Sequence, residues 1–256
     1  VFTKALVRPP SRNFADGLTS VDLGKPDYER ALQQHEAYCR ALEHCGLSLI
    51  RLHSENLYPD STFVEDTAVL TQHAAVIGRP GALSRLGEID EIKSVLRGYY
   101  ERVFEISEPG TLDGGDVCEA GEDFFIGISR RTNEEGARQL AGFLAELGYR
   151  PALIDIRGLS NILHLKSGLA YLDHHRLLVI DELKDLKQLS GYDLIHVNAV
   201  EAYAANCLAI NGRILLATGV PELQRELESR DYETITLEMS EFQKMDGGLS
   251  CLSLRF

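Results

Sequence analysis

Short apolar runs alternate with polar, helix-like stretches along the whole chain, and the alternation repeats. In each repeat a polar stretch leads to an apolar strand, a compact turn follows, and a new pair of strands begins. The turns are Phe63-Val64-Glu65-Asp66, Gly114-Gly115-Asp116, His164-Leu165-Lys166-Ser167, Asn206-Cys207-Leu208 and Cys251-Leu252-Ser253. They recur at roughly 40- to 50-residue intervals, the self-similarity that marks propellers and other repeat architectures. Five related α/β modules are predicted. The fourth pair turns at Asn211-Gly212, a strong hairpin signal between Cys207-Leu208-Ala209-Ile210 and Ile214-Leu215-Leu216-Ala217.

Helices are expected between the strands. Pro26, in Lys25-Pro26-Asp27, is placed to start one, and Leu32, His35, Tyr38, Cys39, Leu42 and Cys45 follow at helical spacing. Asn133 to Leu147 repeats the form with Ala137, Leu140, Ala141 and Leu144. The fifth strand pair is incomplete at the C-terminus, because Cys251 to Phe256 supplies one strand. Lys4-Ala5-Leu6-Val7-Arg8 is expected to supply the other, closing a ring and removing exposed strand edges. The residues that open each module then gather at one end of the axis. Glu65, Asp66, Asp116, His164 and Cys251 are therefore expected to line one cavity.

Composition narrows the class. With 256 residues, 44% hydrophobic and 25% charged, the chain can bury a large core without metals or disulfides, and it reads as one domain over 1–256. Its five cysteines, Cys39, Cys45, Cys118, Cys207 and Cys251, are odd in number and scattered. No Cys-x-x-Cys pair or His/Cys cluster at zinc spacing occurs, which predicts reduced thiols, a cytoplasmic setting and no metal. No basic-plus-apolar leader opens the chain, and no apolar run approaches the roughly 20 residues of a membrane span, so no membrane partner is expected. The net charge of −13 disfavours nucleic acid and suits a small cationic substrate. Ordinary acidic cytosolic proteins share that charge, and a homodimer is compatible with the sequence.

The chemistry centres on the C-terminus. Gly247 and Gly248 let the backbone turn and leave room for an approaching molecule, while Leu252 and Leu254 anchor the strand after Cys251. This would suit an exposed thiol where core meets cleft, while the segment taken alone favours the commoner reading of a small buried hydrophobe, and partners elsewhere in the chain decide between them. With His164 nearby as general acid and base, and a carboxylate to orient the ring, the set suits nucleophilic catalysis. The module spacing points to Asp116 as the carboxylate of the second module. Asp60, Glu65 and Asp66 would oppose ionisation of a neighbouring thiol, so they make sense if the substrate is positive. A guanidinium offers carboxylates a planar fork of N–H donors, and its bound charge would favour the Cys251 thiolate at the moment of attack.

Six ordered motifs now resemble a known family. Phe63-Val64-Glu65-Asp66, Pro109-Gly110-Thr111-Leu112-Asp113-Gly114-Gly115-Asp116, Arg131-Thr132-Asn133, Leu163-His164-Leu165-Lys166-Ser167, Tyr203-Ala204-Ala205-Asn206-Cys207 and the Cys251 terminus together resemble the dimethylarginine dimethylaminohydrolases, from Lys4 to Phe256. The resemblance implies the five-bladed α/β propeller of the guanidine-modifying (pentein) superfamily, five ββαβ modules with pseudo-fivefold symmetry. It implies hydrolysis of Nω-methylated arginines to citrulline and a methylamine, without metal or organic cofactor. By matching positions it implies Cys251 as nucleophile, His164 as general acid/base, and Asp113 as the carboxylate that positions the imidazole. Some relatives have glutamate there, and the match moves this role three residues ahead of Asp116.

The resemblance also places Asp60, Glu65 and Asp66 around the substrate guanidinium with Phe63 beside it, and Arg85 and Arg131 near the substrate carboxylate. Main-chain carbonyls around Leu163 and Met245 would accept from its α-ammonium group. Leu18 falls in Phe14 to Tyr28, which resembles the family's flexible lid. Leu86 departs from an arginine found beside Arg85 in some relatives.

Other features take a plainer reading. Without the resemblance, Arg85 and Arg131 are ordinary surface arginines. His174-His175 sit at a strand-pair tip where a solvated turn is expected. Cys39 and Cys45 are poorly spaced for pairing on one helix face, and Cys118 and Cys207 read as packing residues. Gly114-Gly115 lacks the spacing of a phosphate loop. Two rival functions stay open. An arginine deiminase or other guanidine hydrolase of the superfamily differs in the leaving amine, though the usual deiminases carry an extra helical domain that 256 residues do not easily hold. A non-catalytic binding module shares the fold, but retention of Cys251, His164, Asp113 and the acidic set speaks against it.

Overall fold

The computed structural model describes residues 1–256. In chain order the elements are β1 (Lys4–Val7), α1 (Tyr28–His44), β2 (Ser48–Arg51), β3 (Ala68–Leu70), β4 (Ala75–Ile77), α2 (Ile89–Leu96), β5 (Val103–Glu105), β6 (Val117–Ala120), β7 (Asp123–Ile128), α3 (Glu134–Glu146) and β8 (Arg150–Asp155). They continue with β9 (Leu169–Asp173), β10 (Arg176–Ile180), β11 (Asp193–Val197), β12 (Leu208–Ile210), β13 (Arg213–Ala217), α4 (Pro221–Ser229), β14 (Glu233–Leu237), α5 (Ser240–Gln243) and β15 (Ser253–Arg255).

The strands form five three-stranded sheets. In β3-β4-β5, β6-β7-β8 and β12-β13-β14 an antiparallel pair is followed, after a helix, by a third strand parallel to the second. The sheet β15-β1-β2 has the same pattern with the C-terminal strand in first place. Ala5 faces Arg255, Leu6 faces Leu254 and Val7 faces Ser253, so the two ends of the chain complete one sheet as the sequence predicts.

The remaining sheet, β9-β10-β11, departs from expectation. Its α-helix is replaced by two 3₁₀ turns, Asp181–Leu183 and Lys187–Leu189. Leu183, Leu186 and Leu189 recur every third residue, the repeat of a 3₁₀ rather than an α-helix. Leu183 and Leu189 are buried and anchor the link.

Helix boundaries follow capping chemistry. α1 starts two residues later than Pro26 suggests, because Asp27 is the N-cap and its side chain accepts from the Arg30 N–H at 2.7 Å. Its buried face includes Ala31, His35, Tyr38, Cys39 and Leu42, while Leu32 is half-buried. In α3, Asn133 caps by accepting from Gly136, and Ala137, Leu140 and Leu144 are buried as predicted. Burying a leucine of this kind contributes roughly 1.5–3 kcal/mol.

Two compact units emerge, one of residues 1–64 with 197–256 and one of 65–196. The core of the first includes Tyr38, Leu42, Phe63, Phe242 and Leu252. That of the second includes Phe124, Ile126, Leu140 and Leu144. Each first strand of a pair follows a 3₁₀ turn: Val64–Thr67, Gly114–Asp116, Leu165–Ser167, Ala202–Ala205 and Ser250–Leu252. Four of them overlap the module openings read from the sequence, and Ala202–Ala205 ends just ahead of the other, Asn206-Cys207-Leu208. No helix is long and apolar enough to cross a membrane.

Candidate active site

Within the unit of residues 65–196, three carboxylates, Asp66, Asp113 and Asp116, surround His164. The histidine is buried, just ahead of its 3₁₀ turn, and its backbone N–H donates to Ser167 Oγ at 3.4 Å. Its Nε2 lies 3.0 Å from Asp113 Oδ2. Asp113 is fully buried and immobilised: Oδ1 accepts from the Gly81 N–H at 2.8 Å, and its own N–H donates to Thr132 Oγ1 at 3.1 Å. On the other side of the ring, Nδ1 lies 3.9 Å from Asp66 Oδ1, which also accepts from the Gly115 N–H at 3.1 Å.

Charge makes this pair an imidazolium–carboxylate. Burial opposes the charged ring, yet Asp66, Asp116 and Asp113 outweigh it and raise His164 to about 9. Burial likewise opposes the Asp113 carboxylate, but the His164 hydrogen bond and charge prevail, aided by Arg85 and Gly81, and lower its pKa. Nε2–H therefore donates to Asp113, leaving Nδ1 as the nitrogen free to exchange a proton.

Asp116, which the module spacing singled out, sits behind the ring. Oδ2 accepts from Ser129 Oγ at 2.7 Å and Oδ1 from the Leu165 N–H at 3.0 Å, and burial raises it to about 6. It pins the backbone next to His164, whereas Asp113 holds the ring itself. Glu65 is buried and ion-paired with Lys166. Arg85 is 3% exposed, bound to Asp66 and Glu88. Arg131 keeps a little exposure; its Nη1 lies 3.7 Å from Asp113 Oδ2 and has no hydrogen-bond partner. Leu163, half-buried, adjoins His164.

The other unit, residues 1–64 with 197–256, holds the thiol. Cys251 is 8% exposed, so of the two readings of its segment the buried one holds. It is not inertly packed. Its sulfur accepts from the Gly248 N–H at 3.4 Å and from Asn206 Nδ2 at 3.9 Å, and such donors stabilise a thiolate. Asn206 is held in turn by accepting from the Ser250 N–H at 2.9 Å. The two glycines are required by close approach: a Cβ on Gly248 would overlap the Asn206 side chain, and one on Gly247 the Phe63 ring. Phe63 packs against Phe14 and Phe242, with centroids 5.9 and 6.3 Å away.

Asp60 accepts from the Leu18 N–H at 3.0 Å, and Gly17 lies against both Asp60 and the Met245 side chain. Asp60, expected at the guanidinium, is thus grouped with Leu18 and Met245. The lid-like stretch is tied to the turn after α5, where Thr19 Oγ1 donates to the Lys244 carbonyl and Ser20 N–H to Asp246. His174 and His175 occupy a turn with φ of 43° and 60°.

Sequence reasoning assigned no role to Asn206, Tyr203, Lys166 or Glu88. Asn206 and Tyr203 stand in a quoted motif, and Tyr203 OH donates to the Gly247 carbonyl at 2.9 Å. Lys166 is two residues from His164, and Glu88 follows Arg85 at the i,i+3 spacing of neighbours on one helical turn. Asp66, Asp113 and His164 offer atoms within 4.8 Å of one another, an arrangement that suits a cation. Their bonds to Arg85, Gly115 and Gly81 make it an acid–base cluster.

No protein-family model matches the chain. It is, however, 42% identical to the N(G),N(G)-dimethylarginine dimethylaminohydrolase of Pseudomonas aeruginosa, over 100% of both chains. The chain belongs to the dimethylarginine dimethylaminohydrolase family. A second dimethylarginine dimethylaminohydrolase, from Streptomyces coelicolor, is 35% identical over 98% of this chain and 96% of the relative. Among solved structures, a cysteine-to-serine mutant of the Pseudomonas aeruginosa enzyme complexed with citrulline matches with a TM-score of 0.97 at 41% identity, covering 100% of each chain. The N-terminal domain of ArgZ, a cyanobacterial arginine dihydrolase, matches at 19% identity with a TM-score of 0.89 and shares the fold. The fold class is therefore that of the dimethylarginine dimethylaminohydrolases, with five small α/β modules.

Proposed function

We propose that this protein hydrolyses Nω,Nω-dimethyl-L-arginine, and the Nω-monomethyl form, to L-citrulline and dimethylamine or methylamine through a cysteine-bound thiouronium. The observation that carries this reading is the likeness along the entire chain to family members, one of them complexed with citrulline. The buried Glu65 and Asp66 agree with it, since carboxylates match the planar fork of N–H donors of a guanidinium.

The Cys251 thiolate, supported by the Gly248 and Asn206 donors, attacks the guanidinium carbon and forms a C–S bond. His164 gives its Nδ1 proton to the dimethylated nitrogen, the C–N bond breaks, and neutral dimethylamine leaves. A cationic thiouronium and a neutral imidazole remain. His164 then takes a proton from water as it attacks the same carbon. The tetrahedral species expels the thiolate, and its hydroxyl loses a proton to give citrulline; that proton balances the one free dimethylamine takes up in solution. The rise of His164 to about 9 suits the first step, where it must arrive protonated.

Glu65 and Asp66 hold the guanidinium beside Phe63, and orientation of this kind contributes several kcal/mol to catalysis. Arg131, with its unpartnered Nη1, and Arg85 take the substrate carboxylate. Asp60 and the Leu163 and Met245 carbonyls take the ammonium group, with Leu18 closing over it. Five free cysteines support a cytoplasmic setting.

The test is citrulline formation from dimethylarginine, monomethylarginine and arginine side by side, with amines quantified separately. Preference for the methylated substrates with one amine per citrulline supports the reading. Preference for arginine with ammonia release would make the protein a deiminase.

A further inference from the structure

Glu88 has no part in the chemistry above, yet it is a buried carboxylate, 2% exposed, at the end of a 3₁₀ stretch running from Leu83 to Glu88. Arg85 lies one turn earlier on the same stretch. Its Nε meets Glu88 Oε1 and Oε2 at 3.0 and 3.1 Å, and its Nη2 meets Oε2 at 2.8 Å. One edge of the guanidinium is thus gripped in bidentate fashion, and Nη1 is directed to Asp66 Oδ2 at 2.6 Å. Asp66 in turn faces His164 Nδ1 at 3.9 Å.

We propose that Glu88 is a positioning residue for the reaction, holding Arg85 so that Asp66 stays both fixed and net negative beside His164. The inference rests on the proposed hydrolase reading but makes a claim about the substrate-free protein as well. Orientation is the first part of the argument. With its Nε edge locked on Glu88, Arg85 presents Nη1 in one direction, and Asp66 is clamped between that group and the Gly115 N–H.

Charge is the second part. The groups facing His164 are Asp66, Asp113 and Asp116, and those facing Arg85 are Asp66, Glu88 and Asp113. Arg85 alone would cancel Asp66 as seen by the imidazole and by a bound cation. Glu88 answers the arginine, so the Glu88–Arg85–Asp66 chain keeps one net negative charge. The local sequence makes this possible, because residues three apart on a helical turn are neighbours.

The test is Glu88→Gln, which keeps the shape and removes the charge, with Glu88→Asp, which keeps the charge and withdraws the carboxylate. Imidazole titration of His164 by NMR is read in the substrate-free protein, alongside the pH profile of kcat and the folded-state spectrum. In Glu88→Gln, His164 should titrate lower by about half a pH unit or more, because a nearby negative charge has gone. The basic limb of kcat should move with it, and KM for dimethylarginine should rise. Glu88→Asp should leave the titration in place while lowering kcat by about tenfold, as misaligned catalytic groups do. An unchanged His164 titration in folded Glu88→Gln overturns the proposal. If Glu88→Gln fails to fold, wild-type kcat in Glu88→Asp overturns it. A moved titration in a protein inactive on every methylarginine would instead overturn only the hydrolase reading.

Discussion

The Asp116 carboxylate accepts the backbone N–H of Leu165 at 3.0 Å, so the residue beside His164 is pinned by the module that precedes it. The Asp116 N–H also donates to the carbonyl of Asp113, the imidazole's acidic partner, at 3.0 Å. The Leu165 contact links two module openings and decides where the ring stands.

Asp116 carries a pH signature. Burial raises it from 3.8 to about 6, so the folded state prefers the protonated acid. Its contribution to stability is fully present below the lower value and is lost as pH rises through the higher one, a change of roughly 3 kcal/mol. Asp116→Asn should lack this dependence. Urea unfolding of wild type and variant at both ends of that window checks it: the stability difference between them should shift with pH.

His164 behaves alike at higher pH. Its pKa is raised from 6.5 to about 9, so the stability it contributes is present below the lower value and disappears as pH climbs through the upper. Asp113→Asn removes the partner at 3.0 Å. It should lower the NMR-detected imidazole pKa and reduce kcat about 100-fold or more, the usual scale for loss of an oriented acid–base group. An imidazole that titrates near its ordinary value in wild type would refute this account of the pair.

Asn206 and Gly248 act as one support for the thiol. Asn206→Ala removes a sulfur donor and the acceptor for Ser250 N–H, and Gly248→Ala forces the Asn206 side chain aside. Both should slow thiol alkylation at neutral pH and lower kcat by about tenfold or more. Unaltered alkylation rates in both variants would show that these donors do not support the thiolate.

The lid-like stretch should loosen when its tether is cut. Ser20 donates to Asp246, whose φ of 57° is a conformation asparagine and glycine also adopt. Asp246→Asn keeps the backbone and removes the charge. A KM increase of several-fold with kcat nearly unchanged is expected, because uniform binding is lost. Faster hydrogen exchange at Leu18 to Ser20 would accompany it.

Much of this was legible in the sequence because repetition and capping are local. The module openings, the Asn133 cap and the pairing of Leu6 with Leu254 follow from spacing and from an unpaired terminal strand. The 3₁₀ link through Leu183 and Leu189 was hidden, since apolar residues every third position read equally as a short helix. Asp113 and Asp116 show the limit more sharply. Both are buried acids in one turn, and periodicity alone favoured Asp116. The family resemblance moved the role to Asp113, and the structure shows that carboxylate meeting the ring while Gly81 and Thr132 hold it. The sequence offered both a buried and an exposed Cys251, and what decides for burial is that the space beside the two glycines is filled by Phe63 and Asn206.

Covalent catalysis by Cys251 is most directly tested by rapid acid quenching of the protein with dimethylarginine, followed by mass analysis of the peptide that carries the cysteine. The account predicts an adduct on Cys251 equal in mass to the substrate less dimethylamine, formed together with dimethylamine release and absent in Cys251→Ser. Citrulline released at full rate by Cys251→Ser, or an adduct that retains the dimethylamino group through turnover, would contradict it.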